Sequence, residues 1–466
     1  MAKKTNSTTS FAQVKSKVAW ALYINNELFY GVAIVVVFYI LEFLYPIIHP
    51  IPTILLAVLG MALVFDIVLL FASKNTVSCQ RIIEKKLSLG DDNKVSLLIS
   101  NNATIPINIR VVEELPFQFQ ERNFSMQASL LPNAHTTLAY SIRPTDRGVY
   151  YFGYTNVYVS SILKLASRRY RLNANEYKKG GKPFTVKVYP SIIQMKKHSI
   201  KNFVYSNINE SIKRVRRIGH TMEFEQIKEY VKGDNIKDIN WKATAKRGAL
   251  MTNQYEDTQS QHIYTLIDKG RVMKMPFKGM TLMDYAINTS LVISKACIDK
   301  HDKAGLCTFS RGVEDIVPAD NRSLHISKIL EALYSIKTDY KESDFGRLYA
   351  GLQQKIKQRS LVFLYTNFES LDSVRRQMPY LRAINKKHLL VLIFFKNAEL
   401  HGLSRQDADS VKGVFDKVIA SQFIYEKQQI ISELNKHGIN SILSSPETLS
   451  IDTLNKYLEI KARGVL

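Results

Sequence analysis

The run HIYTLID, His262–Asp268, is continuously apolar until it closes on a carboxylate. Just ahead of it, residues 232–248 read KGDNIKDINWKATAKRG, a Gly-Asp turn, the second of two tryptophans and a basic tail in close succession. From residue 262 onward, strand-like runs alternate with helical patterns. Residues 263–267 precede a helix around 281–300, 304–309 lead to 324–336, 361–366 precede 371–384, and 389–395 form another apolar run. The scheme repeats with 425–436, 439–443 and a last helix over 446–461. Unbroken apolar strands between amphipathic helices predict a doubly wound α/β sheet over 262–466, with both faces covered.

Towards the N-terminus, residues 29–48 and 53–71 are apolar runs of about 20 residues, the length that crosses a bilayer core as a helix. Only His49-Pro50-Ile51-Pro52 separates them, so a tight transmembrane hairpin over 29–72 is expected, and the adjacent second span argues against a cleaved signal peptide. Lys3, Lys4, Lys15 and Lys17 precede the first run; Lys74, Arg81, Lys85 and Lys86 follow the second; the connection carries no Lys or Arg. The positive-inside rule then places the 1–28 tail and everything after residue 71 in the cytoplasm, at a bacterial inner membrane. Glu42 and Asp66 fall within the runs and are expected to face the hairpin interior or a partner helix. They differ in depth by about seven residues, roughly 10 Å of helix rise, which argues against their pairing.

Lys+Arg of 64 against Asp+Glu of 41 gives a net charge of +23. Attraction to anionic membrane lipids accounts for part of that excess, and no nucleic-acid partner is expected. Three cysteines without CxxC spacing support neither a disulfide framework nor a zinc site.

Residues 77–190 carry a period of two, as where Leu138, Tyr140 and Ile142 alternate with smaller or polar residues. Turns at 89–92, 100–102, 131–133 and 144–148 separate the runs, which predicts a β-sandwich acting as a spacer or interaction module. Residues 191–261 form a connector, basic over 191–217 and read as solvated surface, followed by the segment at 232–248.

Ligands of open α/β sheets bind beyond the carboxyl ends of the strands. Asp268 and Thr366-Asn367 stand at two such ends. The pattern resembles a von Willebrand factor A domain, which places Asp-x-Ser-x-Ser after its first strand and a second Asp at a later one. Here Gly270 and Val272 replace the serines, Asn367 replaces the carboxylate, Ser343 is the candidate middle ligand, and Lys269 and Arg271 would repel a cation. A hard divalent ion wants several oxygen ligands, so Asp268, Ser343 and Asn367 read as a degenerate remnant and Mg²⁺ is not expected. Walker A, HExxH and GxSxG sequences are absent, and no enzyme is expected.

Phe224, Glu229-Tyr230, Gly233-Asp234, Ile239, Trp241-Lys242, Ala245 and Arg247-Gly248, set before the strand at 262, resemble the signature of the domain-of-unknown-function 58 family. Lys228 and Lys237 stand where the family often shows Arg. The resemblance implies a membrane-anchored, non-enzymatic scaffold or adaptor with a von Willebrand A-like domain and, as partner, a MoxR-type AAA+ ATPase in a chaperone-like or envelope-related assembly. Two rival readings are a metal-dependent receptor using Asp268 and a subunit of an enzyme acting on cell-wall or lipid precursors. Within the signature, Asp234 is expected to cap the backbone that follows it, and Ile239 and Trp241 to seat the segment as an interdomain clasp. Lys242, Lys246 and Arg247 would face outward or pair with carboxylates such as Glu225 or Glu229, and Asp234, Trp241 and these three cations are the candidate partner-binding residues.

Overall fold

The computed structural model describes residues 22–463 apart from 46–48, 73–76, 122–123, 173–183, 198–221, 233, 235, 258–259, 339, 398–399, 401, 403 and 405–409. The N-terminal lysines, Lys74, Gly233 and most of the basic connector lie outside the described residues. The chain divides into two compact units, Met1–Tyr189 and Pro190–Leu466.

The first unit opens with β1 (Leu22–Ile24), α1 (Asn26–Leu44) and α2 (Pro50–Ala72). Both helices are long and apolar enough to cross a membrane. Ten strands follow: β2 (Val77–Ile82), β3 (Lys86–Ser88), β4 (Asn93–Asn101), β5 (Ile107–Glu113), β6 (Ser125–Leu130), β7 (His135–Ile142), β8 (Gly148–Phe152), β9 (Thr155–Ser160), β10 (Ala166–Leu172) and β11 (Phe184–Tyr189). They form a five-stranded sheet β1-β10-β9-β5-β6 and two three-stranded sheets, β2-β4-β7 and β3-β11-β8. The period of two explains the packing. Val95, Leu97 and Ile99 of β4 are buried while the residues between them are more exposed, and Leu97 and Ile99 meet Ile109, Val111, Val157 and Val159 of the five-stranded sheet in one core. Gly90 and Asn133, both at positive φ, make two of the turns marked in the sequence.

In the second unit, α3 (Ile192–Lys197) and β12 (Met222–Glu229) precede α4 (Trp241–Arg247) and β13 (Met251–Asp257), and β12 pairs antiparallel with β13. Then come β14 (His262–Asp268), β15 (Pro276–Phe277), β16 (Met280–Thr281), α5 (Leu282–Asp299), β17 (Lys303–Phe309), β18 (Val313–Asp320), α6 (His325–Ser335) and α7 (Phe345–Lys355). The chain continues with β19 (Leu361–Tyr365), α8 (Leu371–Lys387), β20 (Leu389–Phe395), α9 (Val411–Lys436), β21 (Asn440–Ser444) and α10 (Leu449–Arg463). The main sheet runs β18-β17-β14-β19-β20-β21, parallel except for the β17–β18 pair. Successive side chains of a strand leave opposite faces, and here both faces are covered. Ile263, Ile267, Phe363 and Ile393 pack with α5, α6 and α10; Tyr264, Leu266, Leu364 and Leu392 pack with α7, α8 and α9. That two-sided burial is why these strands read as unbroken apolar runs. β18 and α7 escape the sequence reading. β18 is an edge strand with Glu314, Asp315 and Pro318, a composition that edges tolerate and central strands do not.

Three charged residues of the first unit sit differently from their sequence expectation. Asp66 does not face a hairpin interior or a partner helix. It is fully buried against the β module, accepting from Ser161 Oγ and, at 2.9 Å, from the Ala166 amide. Glu42 pairs with His49 across the hairpin turn. Arg81, counted in the sequence as a flanking positive charge, is buried: its guanidinium pairs with Glu113 and donates to Gly153 O at 3.0 Å and Thr155 Oγ1 at 3.1 Å. Tyr140 donates to the same carboxylate at 2.6 Å, and burial beside Glu113 pushes its phenol pKa upward and that of Cys79 up to about 12. Both side chains of the pair are 1% exposed or less. Removing one partner of such a pair strands the other charge, so Arg81→Met is expected to cost about 3–5 kcal/mol, whereas Arg81→Met with Glu113→Leu should recover most of it. Thermal unfolding of the solubilised chain and its two variants measures both effects.

Candidate functional site at the carboxyl edge of the sheet

Asp268 ends β14, and β19, its parallel neighbour, ends one residue before Thr366. The register therefore brings both chain ends to one edge. Thr366 Oγ1 donates to Asp268 Oδ2 at 2.6 Å, while the Gly270 amide, at 2.7 Å, and Ser343 Oγ donate to Oδ1. Asp268, Ser343 and Thr366 thus converge, although 75 and 98 residues separate Asp268 from the other two. Glycine at 270 makes the convergence possible. A Cβ there would collide with Ser343 Oγ and lie 2.9 Å from Asp268 Oδ1.

Every donor to Asp268 is neutral, and burial outweighs them, so its carboxyl pKa is raised above the usual range. The cations expected beside it divide. Lys269 turns to Glu314 and, at 3.2 Å, to Lys337 O, whereas Arg271 lines the cavity over the site. Asn367 does not join Asp268; its Oδ1 accepts from Lys427 Nζ at 2.9 Å, and the same ammonium donates to Phe368 O. Burial holds the Lys427 amine down to about 8, against the opposing pull of Glu369 and Glu426. Asp344, next to Ser343, caps α7 by accepting from the Arg347 amide at 2.9 Å.

Two cavities adjoin. One, about 320 Å³, is polar and lies over Asp268, with Arg271, Tyr340, Glu342 and Arg376 in its wall. The other, about 410 Å³, is walled by Phe277, Phe395, Phe423 and Leu443, and Asn367 and Glu369 border both. Lys427, which sequence reading passed over although it falls in the helix expected over 425–436, lines the apolar one and braces Asn367 between them. Among the described residues, no group of three His, Cys, Asp or Glu is placed to share an ion.

The segment at 232–248 has a different character. Asp234 accepts from Lys228 Nζ at 2.9 Å and from the Val231 amide at 3.0 Å, so it closes the turn before it, and the hydrogen bond from Lys228 holds its carboxyl low. Asn240 caps α4, accepting from the Ala243 amide at 3.0 Å, and Gly248 ends it in the left-handed region at φ 70°. Ile239 bridges to Thr252. Trp241 is 68% exposed, on the same short helix as exposed Lys242, Lys246 and Arg247.

Residues 226–403 match the family described as "Protein of unknown function DUF58". They form a DUF58 segment. The chain is also similar to "Uncharacterized protein YeaD" of Bacillus subtilis (strain 168), 20% identical over 219 residues, 46% of this chain and 52% of that protein. The chain thus matches about half the length of this curated relative. Among solved structures, the CARDB domain of PF1109 from Pyrococcus furiosus, in complex with di-metal ions, is 16% identical and covers 24% of this chain and 91% of that one, with a TM-score of 0.16. The ASH / PapD-like domain of human CEP192 is 11% identical over 25% of this chain and 87% of that one, with a TM-score of 0.17. Scores this low carry no argument about the fold.

The DUF58 segment holds Asp234, Trp241, Lys242, Lys246, Arg247, Asp268, Ser343, Thr366 and Asn367; Lys427 lies beyond it. Asp268 also gives a pH test. Its folded pKa lies above its unfolded one, so its contribution to stability is full at acid pH and is lost as pH rises from the unfolded value, near 3.9, through the folded one. Asp268→Asn keeps the acceptor for Gly270 and Ser343 and carries no charge. Its melting midpoint relative to the parent chain should therefore climb across that window and level off above it. A difference independent of pH would contradict the account.

Proposed function

We propose that this chain is a membrane-anchored, non-enzymatic binding protein that docks a protein partner through its DUF58 segment. α1 and α2 supply the anchor, two spans in a bacterial inner membrane with the folded units in the cytoplasm. The second unit is a von Willebrand A-like domain of the doubly wound kind. Its ion site is filled by the protein's own hydrogen bonds, because Ser343 and the Gly270 amide take the oxygen of Asp268 that a Mg²⁺ ion would need.

One observation carries the docking reading. The DUF58 segment spends Trp241, 68% exposed, and Ile236, 71% exposed, on its surface, with Val231 and Leu250 also exposed and three cations alongside. Contiguous exposed apolar residues rimmed by charge mark interaction sites, and Trp and Arg are the residue types that anchor them. The cations suit an acidic partner. The partner we propose is the one implied by the family resemblance, a MoxR-type AAA+ ATPase that remodels a client at the membrane.

Affinity capture of the intact chain from solubilised membranes tests this directly. The parent should recover an AAA+ ATPase in either the ATP or the ADP state. Trp241→Ala, and Lys242→Glu combined with Arg247→Glu, should lose most of that recovery while leaving stability within about 0.5 kcal/mol, as exposed substitutions do. Failure of the parent to recover such an ATPase in both nucleotide states would sink the reading.

A further inference from the structure

The first unit holds both apolar helices to one end of its five-stranded sheet. β1, directly ahead of α1, is the sheet's edge strand and pairs antiparallel with β10. Asn25, which starts α1, donates its amide to Leu165 O at 3.1 Å and its side-chain nitrogen to Lys164 O at 2.8 Å. α2 is tied to the same place by Asp66, which takes Ser161 Oγ and the Ala166 amide, and by Arg168, which donates to Leu70 O at 2.9 Å. All these bonds fall on the β9–β10 turn, residues 161–165, or on the strand that leaves it.

The turn therefore lies at the depth of Asn25 and Asp66. α2 does not stop being apolar there. One face, with Leu63, Ile67, Leu70 and Phe71, packs on the β module, while the opposite face stays apolar and open past Asp66, Val68 being 59% exposed. Residues 51–65 rise only roughly 22 Å, less than the ~30 Å of a hydrocarbon core. A bilayer spanned by α2 must then reach beyond Asp66, alongside the turn. At that depth Ile162 is 70% exposed and Leu163 44% exposed. Leu131, also exposed, sits at the same end of the sheet, about 10 Å and two strands across, since Asn108 pairs with both Ser160 and Ser129.

We propose that the β9–β10 turn is a membrane wedge. Ile162 and Leu163 enter the interfacial layer of the leaflet nearest the β module, with the exposed Lys164 at headgroup level. The bilayer, not a protein, is the partner of this surface. Apolar side chains at this position serve no core of their own, and the neighbouring Tyr23, stacked edge-on to Tyr158 at 5.1 Å, adds an aromatic of the kind enriched at membrane interfaces.

The inference rests on the membrane-anchored reading, and site-directed fluorescence separates the two. The native cysteines, Cys79, Cys297 and Cys307, are buried, with thiol pKa values pushed upward by burial, so an introduced exposed thiol labels selectively. The full chain is labelled with an environment-sensitive dye at Ile162→Cys, at Val58→Cys in mid-α2, or at Phe117→Cys at the opposite end of β5. It is then reconstituted in phosphatidylcholine–phosphatidylglycerol vesicles. The Ile162 label should be quenched by lipid spin-labelled near the headgroup more than by aqueous iodide, the Val58 label by lipid spin-labelled deep in the chain, and the Phe117 label by iodide alone. A lipid-protected Val58 label with an iodide-accessible Ile162 label overturns the wedge and leaves the anchor intact. Iodide access at Val58 overturns both.

Discussion

A carboxylate removed from water costs several kcal/mol unless donors replace the water it loses, and among the described residues Glu113, Asp302, Asp66 and Asp268 meet that constraint in two ways. Glu113 and Asp302 find cations: Arg81 in the β module, and Lys461 at 2.6 Å, with the Tyr457 hydroxyl also at 2.6 Å, in the α/β unit. Asp66 and Asp268 take neutral donors instead, hydroxyls and backbone amides. Neutral donors are short and directional. They fix two chain segments against each other with little room for rearrangement, which suits the join of α2 to the β module and the junction of β14 with β19.

The consequence for function differs between the two. At Asp66 the bonds decide which turn of the β module lies beside α2. At Asp268 they decide what the carboxyl edge of the sheet can bind. That edge is where open α/β sheets place ligands. Here Ser343, admitted by the missing side chain of Gly270, and Thr366 use the oxygens, and Lys427 steadies Asn367 beside them. The edge is consolidated by the protein itself, and the docking surface we propose lies instead on the exposed apolar and cationic residues of the DUF58 segment.

Much of this was legible in the sequence, for identifiable reasons. Strands buried on both faces leave unbroken apolar runs, so β14, β17, β19 and β20 were plain, and Ser343 was set beside Asp268 only through the resemblance to a von Willebrand A domain. What sequence hid was partnership over distance. Asp66 looked like a residue of the hairpin interior because it sits in an apolar run and its partners lie 95 and 100 residues away. Arg81 looked like a flanking charge, although Glu113 removes it from the surface. Trp241 was picked out as an apolar anchor, and within the second unit it is 68% exposed at the start of a seven-residue helix. Asn367 was matched to the right strand end, but its side chain answers to Lys427, on a helix whose approach no local pattern announces.

Calorimetric titration of the intact, solubilised chain with Mg²⁺ and Mn²⁺ at neutral pH addresses the central claim most directly. If Asp268 is satisfied by Ser343, Thr366 and the Gly270 amide, millimolar ion should give no saturable heat beyond dilution. Saturable one-site binding that disappears in Asp268→Asn would mean that those bonds yield to a metal, and that the sheet edge is a working ion site after all.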